Sequence, residues 1–170
     1  MRRFWLILLF VCIPLPIHAA EPELPYKVGV AKVDITPDHP MRLNGFGFRR
    51  SESEGVYHRI HARAIAIDDG SKSPCILMTV DVLGIPADIY GEISKRLEMK
   101  AGIKKDRLAI TATHTHTGPM LAGANPTLFG VPIPKEHLAN IDKYTPVFID
   151  KLETAALEAL KDMKPAKLEW

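Results

Sequence analysis

The strongest prediction about the fold comes from residues 75–113, CILMTVDVLGIPADIYGEISKRLEMKAGIKKDRLAITAT. Cys75 to Leu83 is a nearly continuous apolar run, which is typical of a strand buried on both faces. Pro86 then opens a helix with apolar residues at helical spacing, and Gly102 closes it. Arg107 to Thr113 returns as a strand. The segment therefore predicts a βαβ unit, whose two strands run parallel.

The flanking sequence adds further elements to this unit. Alternating apolar residues predict strands at Tyr26–Ile35 and Arg59–Asp68. Thr145-Pro146 caps a second helix, which ends before Pro165. A last strand begins at Ala166–Trp170. The predicted fold class is α/β: a layered mixed sheet with a βαβ unit.

Two long connections, residues 36–58 and 120–144, separate these elements. A connection of such length without regular structure in a compact domain is usually functional or disordered. The first one carries Asn44-Gly45-Phe46, and the second is rich in proline and glycine. Ligands in open α/β sheets bind beyond the carboxyl ends of the strands. Asp81 and His114 both fall at such ends, so we expect a site there.

The stretch with the most functional information is Ala112–Pro119, ATHTHTGP, directly after the last strand of the βαβ unit. On a strand, residues two apart point to the same face, which predicts that His114 and His116 project together. A catalytic zinc takes three protein ligands and keeps one position for water. The pair can supply two ligands, or one ligand and one general acid or base.

Other ionisable residues are weaker candidates for the same site: Asp81, His58, His61 and His137. Asp81 can orient a metal-binding imidazole by accepting a hydrogen bond from its second ring nitrogen. Alternatively, it is only a helix-entry residue that accepts hydrogen bonds from backbone N–H groups. His58 and His61 flank an alternating strand and are more typical of surface or partly buried structural residues. His137 lies in a polar context that disfavours a ligand role.

The first twenty residues have the pattern of a secretory signal peptide. Arg2 and Arg3 precede an apolar stretch, and His18-Ala19-Ala20 offers a cleavage site near Ala20. We therefore expect residues 1–20 to be a signal peptide and the protein to be secreted or periplasmic. The residues before Cys12 lack the small side chain of a lipoprotein signal.

Residues 21–170 contain 20 basic and 20 acidic side chains, so they carry no formal net charge. This balance gives no indication of a nucleic-acid partner or of an anionic membrane surface. Cys75 is the one cysteine after Ala20, and we expect it to be a buried structural thiol without a disulfide. The remaining length is enough for one domain with a core of its own.

The motif Thr111–Pro119 resembles that of the neutral/alkaline (non-lysosomal) ceramidase family, which usually reads Thr-His-Thr-His-Ser-Gly-Pro. The similarity runs from about residue 27 to the end of the chain. Val28–Pro37 is similar to the opening strand of the family, and Asn44-Gly45-Phe46 stands where the family has Met-Gly-Tyr. Two shorter segments also resemble the family pattern, Ala62-Arg63-Ala64 and Val80-Asp81.

The resemblance implies a zinc-dependent amidase that hydrolyses the N-acyl bond of ceramide to a fatty acid and sphingosine. It implies that His114 is a zinc ligand, that His116 is a catalytic residue near the substrate amide, and that Gly45 lies on the loop lining the pocket. The substrate would be a ceramide-like sphingolipid, a class compatible with peripheral contact with membrane lipid. Thr117 replaces the usual Ser, and Phe46 replaces the usual Tyr and removes a hydroxyl.

The remaining zinc ligands and the catalytic Arg of the family have no counterpart within this sequence. We therefore expect residues 21–170 to be the N-terminal portion of a ceramidase-like catalytic domain, inactive alone. Two alternatives stay open. One is a metal-dependent hydrolase of another amide or ester on the same scaffold. The other is a non-catalytic exported binding or remnant domain with structural histidines. The sequence does not determine the oligomeric state.

Overall fold

A computed structural model describes residues 25–125 and 127–169. These form one five-stranded mixed sheet with two helices. The elements in chain order are β1 (Tyr26–Asp34), β2 (His61–Asp68), β3 (Cys75–Val80), α1 (Ala87–Ala101), a 3₁₀ turn (Lys105–Arg107), β4 (Leu108–Ala112), α2 (Lys135–Lys161) and β5 (Lys164–Ala166). The strand order is β4-β3-β2-β1-β5. Among the strands that the structure describes, β3 and β4 pair in parallel, and the other neighbours are antiparallel. The predicted fold class is confirmed.

The βαβ unit is confirmed in its elements. Pro86 directly precedes α1, and Gly102 ends the helix in the left-handed conformation with φ 69°. The Gly102 N–H donates to the carbonyls of the last helical turn, as glycine after a helix commonly does. The predicted apolar stripe of α1 is buried. Strands β3 and β4 therefore end side by side, and their carboxyl ends open towards the same edge.

Both helices pack on one face of the sheet. Strand β2 turns Ala62, Ala64 and Ala66 towards them, and all three are buried. These small side chains let α2 lie close to β1 and β2. The approach is tightest at Gly29, where an added Cβ would lie 2.0 Å from the carbonyl oxygen of Ala159. Burial of the apolar stripe of α2 against this alanine surface forms the core.

The prediction that β3 is buried on both faces was wrong. Ile76, Met78 and Val80 are buried beneath the helices, whereas Leu77 on the opposite face is 45% exposed. Val30 on β1 is 59% exposed on that same face. The reason is that α1 and α2 both cover the same side of the sheet among the described residues. A continuous apolar run shows only composition and does not show how many faces are covered.

The second helix begins eleven residues earlier than predicted. It starts at Lys135, so Pro146 lies inside it rather than at its first turn. Ile141 and Tyr144 are buried before the proline, and their burial favours the helix there over the preference of Thr145 for an extended backbone. The Thr145 hydroxyl donates to the Ile141 carbonyl at 2.8 Å and accepts from the Ala122 N–H at 3.0 Å. Tertiary packing thus outweighs the local start signal.

The last strand is shifted and short. It spans Lys164–Ala166 and pairs with the start of β1, instead of beginning at Ala166. Pro165 is tolerated because β5 is an edge strand, where an absent N–H removes no central ladder bond. The predicted signal peptide, Cys12 and Trp170 lie outside the described residues. Cys75 is a free, half-buried thiol rather than a fully buried one.

Within residues 25–125 and 127–169, no helix is long and apolar enough to span a membrane.

Candidate active site

His114 and His116 follow β4 directly, at the carboxyl edge of the sheet. The strand ends at Ala112, and His114 has a left-handed backbone with φ 59°. The two residues are thus on a turn, and the strand alternation predicted for them was wrong. They are nevertheless close: their ring centres are 5.2 Å apart and the ring planes meet at 64°. The spacing of the two histidines suggested that their rings are close, and they are, but the turn brings them together and strand alternation does not.

The imidazole of His114 is oriented by one backbone contact. Its Nδ1 lies 2.9 Å from the carbonyl oxygen of Leu83, in the segment between β3 and α1. Because a carbonyl oxygen only accepts, this contact assigns the proton to Nδ1 and leaves the Nε2 lone pair free in the neutral ring. Metal-binding histidines are held in the same way, by donation from the other ring nitrogen to a carbonyl or carboxylate. His114 is exposed and accessible to a ligand.

Gly45 lies against His116. A Cβ on Gly45 would be 2.6 Å from both the Cβ and Cγ atoms of His116, and Gly45 has φ +108°. Only glycine satisfies both conditions, because other residues rarely adopt this φ and have no room for a side chain. The next residue, Phe46, packs its ring edge-on against the His116 imidazole with ring centres 4.9 Å apart.

The long connection 36–58 reaches the histidines through a short backbone ladder. Leu43 pairs with Pro119 as an isolated antiparallel bridge. On either side, the Asn44 N–H donates to the Gly118 carbonyl at 3.1 Å, and the Met120 N–H donates to the Arg42 carbonyl at 2.8 Å. The connection is therefore ordered and places Gly45 beside His116.

A cleft of about 160 Å³ lies near these residues, and neither histidine is part of its lining. It is bounded by the loop before α1, by the Asn44 side chain, and by a loop from the second long connection. Asn44 is buried and directly precedes Gly45, and Gly84 directly follows the Leu83 carbonyl that holds His114. The cleft thus lies between the chain segments that hold the two histidines. Its lining residues are Asn44, Gly84, Ile85, Pro86, Gly123, Ala124 and Asn125.

Asp81 has a structural contact rather than an imidazole partner among the described residues. Its Oδ2 accepts from the His61 N–H at 2.9 Å and from Arg63 Nη1 at 3.0 Å. Of the two roles considered for Asp81, acceptance from a backbone N–H fits, although the N–H belongs to β2 and not to α1. The carboxylate ties the ends of β2 and β3 together at the edge that carries the site.

The other histidines considered from the sequence, His58, His61 and His137, do not extend the pair into a larger cluster. His58 is exposed and packs edge-on against Tyr57, and His61 is half-buried at the start of β2. His137 lies in the first turn of α2, where its Nδ1 is buried. The described part of the chain contains no group of three or more His, Cys, Asp or Glu side chains placed to hold a metal ion. The donors at this edge are therefore His114 and His116.

Two contacts of the site had no signal in the sequence. One is the Leu83 carbonyl, because backbone acceptors leave no motif. The other is Arg49, whose Nη1 donates to the His116 carbonyl at 2.6 Å. An arginine in a polar loop is usually a solvated charge, and only the folded loop brings it to His116.

Comparisons with known proteins indicate the family to which the chain is similar. The family model for the N-terminal region of neutral/alkaline non-lysosomal ceramidases matches residues 26–170. The chain is 32% identical to a neutral ceramidase of Drosophila melanogaster over 98 residues, which are 55% of this chain and 14% of that protein. It is 29% identical to a neutral ceramidase of Pseudomonas aeruginosa over 118 residues, which are 67% of this chain and 18% of that protein.

The fold is also that of solved ceramidase structures. The crystal structure of the Pseudomonas aeruginosa neutral ceramidase superposes with a TM-score of 0.66 at 22% identity, over 84% of this chain and 22% of that one. A ceramidase complexed with C2 superposes with a TM-score of 0.65 at 21% identity, over the same shares. At these identities the likeness concerns the fold. The chain spans less than a quarter of the length of each of these relatives.

Proposed function

The chain belongs to the neutral/alkaline non-lysosomal ceramidase family. On that premise we propose that it forms the N-terminal part of the catalytic domain of a zinc-dependent amidase. The reaction is hydrolysis of the N-acyl bond of ceramide-type sphingolipids to a fatty acid and sphingosine. The similarity to neutral ceramidases supports the reaction class. The solved ceramidase complex with C2 supports a small lipid substrate.

The observation that carries the proposal is the contact between His114 Nδ1 and the Leu83 carbonyl. It presents Nε2 with a free lone pair at an exposed position, which is what a zinc ligand requires. The proposal assigns one ligand position to His114, and the described residues provide no group of three ligands. A catalytic zinc, when bound, supplies Lewis-acid polarisation of an amide carbonyl and lowers the pKa of water to about 7.

His116 is the proposed catalytic residue beside the metal ligand. Its ring centre is 5.2 Å from that of His114, so the two imidazoles are close enough for one substrate amide to reach both. Imidazole is the side chain that most often transfers protons in enzyme active sites. At this place His116 can take a proton from the attacking water or deliver one to the leaving amine nitrogen.

Gly45 supplies the wall of the pocket next to His116. Its missing side chain lets the loop backbone touch the imidazole, so that the substrate amide meets backbone on this side. Phe46 stands where the family has Tyr. It therefore contributes an apolar ring and no hydroxyl, and that ring packs against His116. The proposed pocket wall is apolar at this point, as a lipid substrate requires.

We further propose that the protein is exported, as the pattern of residues 1–20 predicts, and that it meets its substrate outside the cytoplasm. Contact with the membrane would be peripheral. This step is supported by the sequence pattern alone.

The test uses the full-length protein from the complete gene. It is prepared metal-free and is then assayed with added zinc. Hydrolysis of short-chain N-acylsphingosine is followed by release of the fatty acid. We expect turnover with zinc, none after chelation, and none for His114→Ala. His58→Ala is the matched control, because His58 is exposed and lies outside the site. Zinc-dependent cleavage of other amides or esters but not of N-acylsphingosines would replace the substrate class. A folded protein that binds no zinc would overturn the proposal in favour of a binding domain.

A further inference from the structure

We propose that Arg49 is a positioning residue that holds His116 and Phe46 together in the active site. The inference rests on the proposed function only in that it takes this site to be the catalytic one. Arg49 Nη1 donates to the His116 carbonyl oxygen at 2.6 Å. The guanidinium carbon of the same side chain lies 4.8 Å from the centre of the Phe46 ring.

These contacts close a three-residue circuit. The Phe46 ring packs edge-on against the His116 imidazole at 4.9 Å, and the Arg49 N–H donates to the Phe46 carbonyl at 3.2 Å. Each member of the circuit therefore touches the other two. His114 is held separately, through the Leu83 carbonyl. Loss of the Arg49 guanidinium is expected to release His116 and Phe46 while His114 keeps its orientation.

The backbone of Arg49 is itself held by the buried side chain of Arg42. Arg42, which is only 1% exposed, donates from its guanidinium to the carbonyls of Arg49 and Arg50. The Arg42 guanidinium also lies over the ring of Phe129, with its central carbon 4.1 Å from the ring centre. A buried donor that satisfies two consecutive carbonyls defines the loop conformation closely. Arg49 thus starts from a fixed base, so its side chain can fix His116.

The chemistry of the side chain explains why arginine suits this position. A planar guanidinium can stack on an aromatic face while one of its edges donates to a carbonyl. A lysine ammonium can donate to the carbonyl, but it has no plane to stack on Phe46. We therefore expect Arg49→Lys to retain part of the effect and Arg49→Met to lose it.

The experiment measures the ring signals of the histidines by NMR in protein labelled with ¹³C-histidine. Because the Phe46 ring is edge-on to His116, its ring current displaces the His116 signals. In Arg49→Met these signals should move towards positions typical of an unpacked histidine. The His114 signals should move less, because Leu83 still holds that ring and only its contact with the His116 ring changes. Arg49→Lys should give an intermediate shift. The control is Arg50→Met, which should leave the His116 signals close to those of the wild type. Arg50 is exposed on the same loop, and its side chain donates to the Gly47 and Arg49 carbonyls and not to His116.

Unchanged His116 signals in a folded Arg49→Met protein would overturn the proposal. If that variant does not fold, Arg49→Lys decides, because full retention of the wild-type His116 signals there would also overturn the stacking role. In the active enzyme, Arg49→Met should lower kcat by about tenfold or more with little change in KM. A displaced His116 signal in a protein that binds no zinc would overturn the proposed function and leave the Arg49 contact standing.

Discussion

Gly45 and His116 are in direct contact, so close that a Cβ on Gly45 would stand 2.6 Å from the Cβ of His116. This relationship joins the first long loop to the histidine motif, two regions about seventy residues apart in sequence. It makes the absence of a side chain at Gly45 a condition of the site's geometry.

Gly45→Ala should therefore damage the site. The methyl group must displace His116, and the φ of +108° is strained for alanine, so we expect a loss of stability on the order of 1–3 kcal/mol. Turnover should fall further than the stability loss explains. The checks are urea unfolding and fatty-acid release. Gly91→Ala in α1 is the control, because no atom lies within 4 Å of its added Cβ, and it should stabilise the helix by up to about 1 kcal/mol. Equal effects of the two substitutions would contradict the packing argument.

His116→Ala should separate catalysis from metal binding. In its proposed role as a proton-transfer residue, His116 is expected to contribute about 10²–10⁴-fold to turnover. Zinc content, measured by elemental analysis, should stay near that of the wild type. If zinc and turnover fell in parallel, His116 would be a metal ligand instead.

Asp34 should make stability depend on acid pH. Burial alone would raise the pKa of its carboxyl, but hydrogen bonds from Thr36 and from Arg59 outweigh burial and hold that pKa well below its usual range. Because the folded pKa is lower than the unfolded one, the unfolded chain binds the proton more readily. The contribution of Asp34 is thus fully present above the ordinary aspartate pKa and is lost as the pH falls towards the folded value.

Urea unfolding of Asp34→Asn at several pH values checks this sign. The variant should be less stable than the wild type at pH 7, and the gap should narrow as the pH is lowered below 4. Asp142→Asn serves as the control, since Asp142 is exposed on α2. A gap that widened in acid would mean that the carboxyl is not stabilised in its charged form.

Pro146→Ala tests the unpredicted start of α2. Pro146 is exposed inside the helix and provides no N–H for the preceding turn. Alanine restores this donor, so we expect a gain of about 1–3 kcal/mol in unfolding free energy, reduced by the added freedom of the unfolded chain. Pro165→Ala in the edge strand β5 should have little effect. A clear loss of stability in Pro146→Ala would contradict a continuous helix from Lys135.

The βαβ unit could be predicted from sequence because its signals are local. Pro86 and Gly102 mark the ends of α1 by their own backbone preferences, and the apolar stripe between them has one interpretation. The start of α2 could not, because burial of Ile141 and Tyr144 against residues far along the chain outweighs the signal at Thr145-Pro146. The exposed face of β3 was missed for a related reason: composition does not say where both helices will pack.

The candidate site also has a part that could be predicted from the sequence and a part that could not. The His114–His116 pair was evident from spacing, although a left-handed residue at His114 brings the rings together and strand alternation does not. The departure from strand geometry had only a weak signal, since histidine adopts a positive φ more often than most residues but much less readily than glycine. Arg49 and the Leu83 carbonyl depend on long-range contacts and become visible only in the fold.

The proposal that His114 binds zinc through Nε2 can be decided by a zinc titration of the ¹³C-histidine-labelled protein. We predict that the His114 ring signals shift at the lowest zinc concentrations and that His114→Ala abolishes this tight binding, while His58→Ala preserves it. Zinc that binds equally tightly to His114→Ala, or that shifts the other histidines and leaves His114 unchanged, would contradict the claim.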